Sequence, residues 1–259
     1  MTRELPARRI VLLGASNLVR GISTVVETAT NVLGSPLDVL AALGHGRSFG
    51  MESRVLGRVL PGIIQCGLWD ALDQRPQLPT NALITDIGND ILYGASPQAI
   101  AHWVEACLVR LRRVSRRIVV TELPLENVLR LGPRRFALIR KLIFPSALIS
   151  FEDALAAIKT LNDHVKSVSE TYGAHVVQPR PCWYGVDPIH IKLRHWPEAW
   201  LEVFRSWSDD RSIPLAKGSL RRWMFLRGLR PQQRRLFGRV QTQQQPAGRL
   251  PNGAIISYY

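Results

Sequence analysis

Residues 8–20 read RRIVLLGASNLVR, and this stretch decides the fold. Four consecutive large aliphatic residues, Ile10 to Leu13, show no polar alternation, the mark of a strand covered on both faces. Gly14 and Ala15 end the run. From Asn17 onward apolar residues recur at helical spacing until Gly34, a residue suited to a helix C-cap. A buried strand feeding directly into an amphipathic helix is the first half of a strand–helix–strand unit, which builds parallel sheets.

The pattern repeats along the chain. PLDVLAALG (36–44), NALITDIGND (81–90), RRIVVTELP (116–124) and AHVVQPR (174–180) read as four further strands. Helical segments fall between them. One follows Pro61, and one starts with Ser96 as N-cap and Pro97 at the first helical position. A mostly helical region from Gly132 to Tyr172 is interrupted near Pro145, and HWPEAWLEVFRSW (195–207) closes the core. Alternation of this kind predicts an α/β protein: a three-layer α/β/α, flavodoxin-like fold with a parallel five-stranded sheet. Near Asp210 the composition changes. Residues 1–210 are expected to form the core domain and 211–259 a basic C-terminal extension, with a helix in SLRRWMFLRGLRPQQRRLF broken at Pro231. The final GAIISYY reads as a strand or docking segment.

Of the 259 residues, 46% are hydrophobic and 21% charged, which excludes wholesale disorder. The formal net charge is +14, and its distribution is uneven. After Asp210 there is no Asp or Glu, while Arg211, Lys217 and eight further arginines follow. Such an extension favours an anionic partner. Trp223, Met224, Phe225, Leu226 and Phe237 interleave with these arginines, which suits an interfacial helix better than a loosely packed, solvated tail; an anionic membrane surface is the expected partner, and nucleic acid the less favoured one. Cys66, Cys107 and Cys182 have no zinc-ligand spacing and read as free thiols of a reducing compartment. No run reaches the roughly 18 apolar residues of a membrane span. The apolar run near the N-terminus, IVLLGA, is too short for a secretory signal. The expected location is the cytoplasm.

The ends of the strands carry the chemistry. The first delivers Ser16 and Asn17, the second Gly44, His45, Gly46, Arg47 and Ser48, and the third Asp86, Gly88, Asn89 and Asp90. YGVDPIHIK (184–192) adds Asp187 and His190 on one turn. Each has a plain structural reading when taken alone. Ser16 and Asn17 could cap a helix, and GHGRSFG could be a flexible turn. DIGND could be a turn or a carboxylate site for a metal through Asp86 and Asp90, and Asp187–His190 could be structural. In a parallel α/β sheet, however, all these strand ends converge on one edge. The set then has the parts for acyl transfer. Ser16 is a nucleophile, His190 its base, and Asp187 the carboxylate that orients the imidazole. The N–H of Ser16, a backbone N–H of the glycine-rich loop and the side-chain amide of Asn89 are donors for an oxyanion.

The order Ser16 in LLGASN, glycine in GHGRSFG, Asn89 in DIGNDI and His190 in DPIH resembles the SGNH hydrolase superfamily, the GDSL esterases and lipases. The four blocks span Val11 to His190, the whole expected core. The resemblance implies a flavodoxin-like fold, a cofactor-free serine mechanism with no metal, and small-molecule, glycan or lipid ester substrates. It assigns Ser16, Asp187 and His190 as catalytic, and Ser16, Gly46 and Asn89 to the oxyanion hole, with Gly44 the alternative to Gly46. Two positions depart from the family pattern. Ala15 replaces the acid that supports the serine loop, and Ile87 stands where the third block has glycine. Two other readings use the same residues differently: an acyltransferase with the same site, and a non-catalytic module that binds an anionic partner through its extension.

Overall fold

The computed structural model of the protein describes residues 5–143, 147–210 and 212–259. The helix break expected near Pro145, the first four residues and Arg211 of the extension lie outside the described residues. In chain order the elements are β1 (Arg8–Leu13), α1 (Ser16–Leu33), β2 (Leu37–Ala42), β3 (Ser53–Val55), β4 (Arg58–Leu60), α2 (Leu68–Gln74), β5 (Thr80–Ile84), α3 (Asn89–Leu92), α4 (Pro97–Arg112) and β6 (Ser115–Thr121). They continue with α5 (Leu125–Ile143), α6 (Phe151–Thr171), β7 (His175–Val177), α7 (Trp196–Phe204), α8 (Leu220–Gly228), β8 (Gln233–Leu236), β9 (Arg239–Thr242), β10 (Gly248–Arg249) and β11 (Ile255–Tyr258).

The strands expected from the sequence form the parallel series β2-β1-β5-β6-β7. The sheet does not end there. β11, from the terminal GAIISYY, adds in parallel to the outer edge of β2, and β10 pairs with it antiparallel, giving seven strands in all. A second, four-stranded antiparallel sheet joins the β3–β4 hairpin to β8 and β9 of the extension. The expected five-stranded sheet is thus extended beyond its β2 edge, while β7 remains the other edge, and the additions are mostly built by the last segment of the chain.

Alternation along the buried strands feeds two cores. Val11, Leu13 and Leu40 face the helices α4 and α6 through Ile100, Val104, Leu161 and Val165. Ile10, Leu12 and Val39 face the other way, onto α1 and α7 through Ile22, Val26, Trp200 and Phe204. Burial of each such side chain contributes ~1.5–3 kcal/mol, so both faces of the sheet are strongly committed. Gly21 permits a close approach of α7 to α1. A Cβ there would lie 2.6 Å from the indole nitrogen of Trp200. α4 begins as expected, with Ser96 accepting the Ala99 N–H at 3.2 Å and Pro97 at its first position. The helix expected after Pro61 starts only at Leu68, preceded by a single tight turn over Ile63–Gln65. α5 kinks at Gly132, which has a φ of 71° and is followed by Pro133.

The extension is packed into the fold. Leu226 of α8 is fully buried against the α1 side of the core. Trp223 donates its indole N–H to the Arg20 carbonyl at 2.9 Å, and Arg222 pairs with Glu27. Among the described residues, no helix is long and apolar enough to cross a membrane.

Candidate active site

β1 lies at the centre of the sheet between β2 and β5, and the chain leaves its C-terminal end straight into α1. Ser16 therefore sits at a helix N-terminus on the sheet edge, beside the loop that follows β5. The pairing Leu13↔Ile84 sets these two chain exits side by side. In open α/β sheets this edge is where ligands bind.

The structure brings three of the expected residues into one hydrogen-bonded line. His190 Nε2 lies 2.9 Å from Ser16 Oγ, and His190 Nδ1 lies 2.6 Å from Asp187 Oδ2. Asp187 Oδ1 also accepts the N–H groups of Ile189 and His190 at 3.2 and 3.3 Å, so the acid shapes the turn that presents its own imidazole. Burial pushes the Asp187 carboxyl up, but the hydrogen bond and charge of His190 and the two backbone N–H groups outweigh it. The net effect holds the carboxyl below its ordinary value. An ionised Asp187 facing Nδ1 fixes the proton there and leaves Nε2 as the acceptor toward Ser16.

Asn17 ties the two halves of this line together. Its amide donates to the Ile189 carbonyl at 2.9 Å, and its side-chain oxygen accepts the Ile191 N–H at 2.9 Å. These bonds flank His190 and clamp its turn to the residue next to the serine. The same amide donates to Asp86 Oδ1 at 2.7 Å. Asp86 Oδ2 accepts the N–H groups of Ala15 and Asn17 at 3.0 and 2.9 Å. The serine turn is thus held by an acid after all, supplied by the end of β5 rather than by position 15. The Ser16 N–H between these two has no acceptor among the described residues.

The oxyanion candidates are less tightly gathered. Ser16 and Asn89 line one apolar cavity together with Val128, Leu131, Phe136 and Ile158. The Asn89 amide is 3.4 Å from the Arg47 carbonyl, a long contact that leaves its donor available. Gly46, at φ +63°, is outside the cavity lining. Its carbonyl accepts the Tyr93 hydroxyl at 2.6 Å, which orients the loop. Asp90 pins the same loop by accepting the Ser48 hydroxyl and, at 2.9 Å, the Phe49 N–H. Burial pushes the Asp90 carboxyl up to about 6 against the opposing pull of those two donors. Asp86 and Asp90 therefore hold different loops, the serine turn and the glycine-rich loop respectively. Among the described residues no group of three or more His, Cys, Asp or Glu side chains is placed to hold a metal.

Two contributions were not assigned from the sequence. Asn17 and Asp86 both stand at strand ends in the linear reading, but their mutual contact depends on the β1–β5 register. His190 also borders a second cleft, whose walls include Arg20, His45, Trp196 and, from α8, Trp223 and Arg227. Nothing in the linear pattern joins α8 to His190.

No protein-family model matches the chain, and no curated protein matches it. Solved structures do share its fold. A member of the lipolytic protein G-D-S-L family from Veillonella parvula DSM 2008 aligns over 77% of this chain and 97% of its own, with a TM-score of 0.50 and 10% identity. The native aryl esterase of M. smegmatis aligns over 74% of this chain and 94% of its own, at TM-score 0.50 and 12% identity. Its inhibitor-bound form covers 80% of this chain and 100% of its own, at 0.52 and 14%. The resemblance drawn from the four sequence blocks therefore holds for the fold: a mainly parallel sheet flanked by helices, as in the SGNH and GDSL esterases, with an additional antiparallel sheet.

Proposed function

We propose that this protein is a serine hydrolase of the SGNH type that cleaves carboxylic acyl esters. The observation that carries the reading is the continuous line from Asp187 through His190 to Ser16, at 2.6 and 2.9 Å, on the edge of the sheet. A serine hydroxyl is a weak nucleophile until a base removes its proton, and Nε2 of His190 is within reach to do so. Ser16 Oγ attacks the ester carbonyl, and the imidazolium that forms is stabilised by Asp187. The N–H of Ser16, the Asn89 amide and a backbone N–H at Gly46 are the donors for the tetrahedral oxyanion, each worth about 3–4 kcal/mol of transition-state stabilisation. Collapse expels the alcohol, whose oxygen takes the proton from His190. Water then attacks the acyl-serine with His190 as base again. The apolar cavity beside Ser16 and Asn89 suits the hydrocarbon of the acyl group.

The substrates would be small-molecule, glycan or lipid esters. Exposed Leu220 and Met224, one helical turn apart on α8 and beside exposed Arg221, support contact with an anionic surface such as a membrane. The test of the catalytic reading is labelling by a fluorophosphonate, followed by mass spectrometry of the adduct. An adduct on Ser16, lost in Ser16→Ala and His190→Ala, is the expected result. Folded wild-type protein that takes no label would sink the proposal.

A further inference from the structure

The proposed reaction fixes which half of the ester lies on which side of the site. His190 must protonate the departing alcohol oxygen, so the alcohol leaves on the His190 side. His190 borders the second cleft and is absent from the apolar cavity's lining. The acyl chain and the alcohol thus face walls of different chemistry.

The cleft on the alcohol side is cationic and poor in compensating acid. Arg20 is 3.8 Å from Asp187, a carboxylate already committed to His190. Arg227 stacks on Trp223 at 4.8 Å and has no carboxylate partner among the described residues. Arg58 approaches the glycine-rich loop from β4: a Cβ on Gly44 would be 3.6 Å from its Nη2. It likewise has no carboxylate partner among the described residues. Its guanidinium is pushed down by burial and then by the like charges of Arg47, Arg234 and Arg227. His45 lies at the focus of this group. Burial, and then the positive charges of Arg227, Arg58 and Arg20, push it down to about 4, so it is a neutral hydrogen-bonding ring at pH 7. Cations held close together without carboxylates are repulsive until an anion arrives, and guanidinium groups match the oxygens of phosphate and carboxylate.

We propose that this cleft is the leaving-group subsite, and that it takes a phosphate or carboxylate carried by the alcohol half of the substrate. The inference rests on the esterase reading for its orientation. It also gives the C-terminal extension a role, since α8 supplies Arg227 and Trp223.

The experiment compares three esters with one acyl chain: octanoyl glycerol, octanoyl glycerol phosphate and octanoyl glycerate. Binding is measured by calorimetry to Ser16→Ala protein, which cannot turn them over, and hydrolysis is measured with the wild type. At least one anionic ester is expected to bind about tenfold or more tightly than the neutral one. The gap should shrink with added salt and close in Ser16→Ala/Arg227→Gln, while Arg227→Lys should retain most of it. The ratio of kcat/KM between the anionic and neutral esters should follow the same order. The phosphate and carboxylate arms show which anion is preferred. Equal binding of neutral and anionic esters, or a preference unchanged by Arg227→Gln, overturns the proposal. A preserved binding gap with no hydrolysis of any ester would instead sink the esterase reading and leave the anion subsite standing.

Discussion

Asp86 and Asn17 form a double contact: Asp86 Oδ2 accepts the Asn17 backbone N–H at 2.9 Å, and Asp86 Oδ1 accepts its side-chain amide at 2.7 Å. Through Asn17 the contact reaches the turn of His190, so one carboxylate positions both the Ser16 turn and the His190 turn. Asp86 adopts a φ of 60°, a left-handed conformation that costs a non-glycine residue ~1–3 kcal/mol and that its hydrogen bonds must offset. Asp86→Ala is expected to lower kcat on a short-chain ester by about a hundredfold, since small displacements of the reacting groups have costs of that order. It should also destabilise the fold by ~2–3 kcal/mol, the range for loss of charge-assisted hydrogen bonds. Ester kinetics and urea unfolding measure the two effects. Unchanged kcat in a folded variant would show that the serine turn holds its shape without this acid.

Asp187→Asn tests the role of the carboxylate separately from its shape. The amide fits the same space but cannot hold the proton on Nδ1 or stabilise the imidazolium. The expected loss is on the order of 10³–10⁴-fold in kcat with the fold intact. Because Asp187 is held below its ordinary value in the wild type, its ionised form persists through the mildly acidic range. The acid limb of the pH–rate profile should therefore report a group other than Asp187. A profile following an Asp187 titration near pH 5 would contradict the hydrogen-bonded arrangement.

Much of this architecture is legible in the linear chain because it rests on local signals. The run Ile10–Leu13 and the helical spacing after it identify β1 and α1. Ser16 stands at the junction of β1 and α1, and Asp187 and His190 share one short loop turn, positions where side chains are free for chemistry. What was not legible depends on contacts between distant segments. The final segment reads as a strand or docking segment, but that β11 joins the main sheet depends on its pairing with β2, more than 200 residues earlier in the chain. Asp86 can be placed at a strand end, but its grip on the serine turn follows from the β1–β5 register. The helix containing Trp223 and Arg227 is visible from its spacing, whereas its packing on α1 beside His190 is a tertiary fact.

His45 gives a direct readout of the arginine cluster. Its folded-state pKa of about 4 lies below the ordinary 6.5, so the folded form keeps the ring neutral. The unfolded chain binds the extra proton between those values, so the His45 contribution to stability is complete above about pH 6.5 and is lost as pH falls toward 4. Asp90, raised to about 6, acts in the opposite direction, since its folded form holds a proton that the unfolded chain has released. Its contribution is present below about pH 4 and is lost as pH rises through 6. Nuclear magnetic resonance titration of His45 separates the two. Arg227→Gln should raise the His45 pKa toward its ordinary value, and so should a bound phosphate. A His45 that titrates near 6.5 in the wild type would mean that neither burial nor the arginines act on it, and a low value unchanged by Arg227→Gln would mean that burial alone holds it down.

Ending the chain at Asp210 tests whether the extension is an appendage or part of the sheet. Without β11, the backbone of β2 becomes a bare parallel edge carrying fully buried Val39 and Ala41. Without α8, the face of α1 that contacts Trp223 and Leu226 is opened to water. Exposed apolar edge strands are templates for aggregation. The shortened chain is therefore expected to collect as aggregate on size exclusion, or to melt well below the full chain if a soluble fraction is recovered. A shortened chain that stays monomeric with the melting temperature of the full protein would show that residues 1–210 fold alone, and that the last segment rests on a sheet already complete without it.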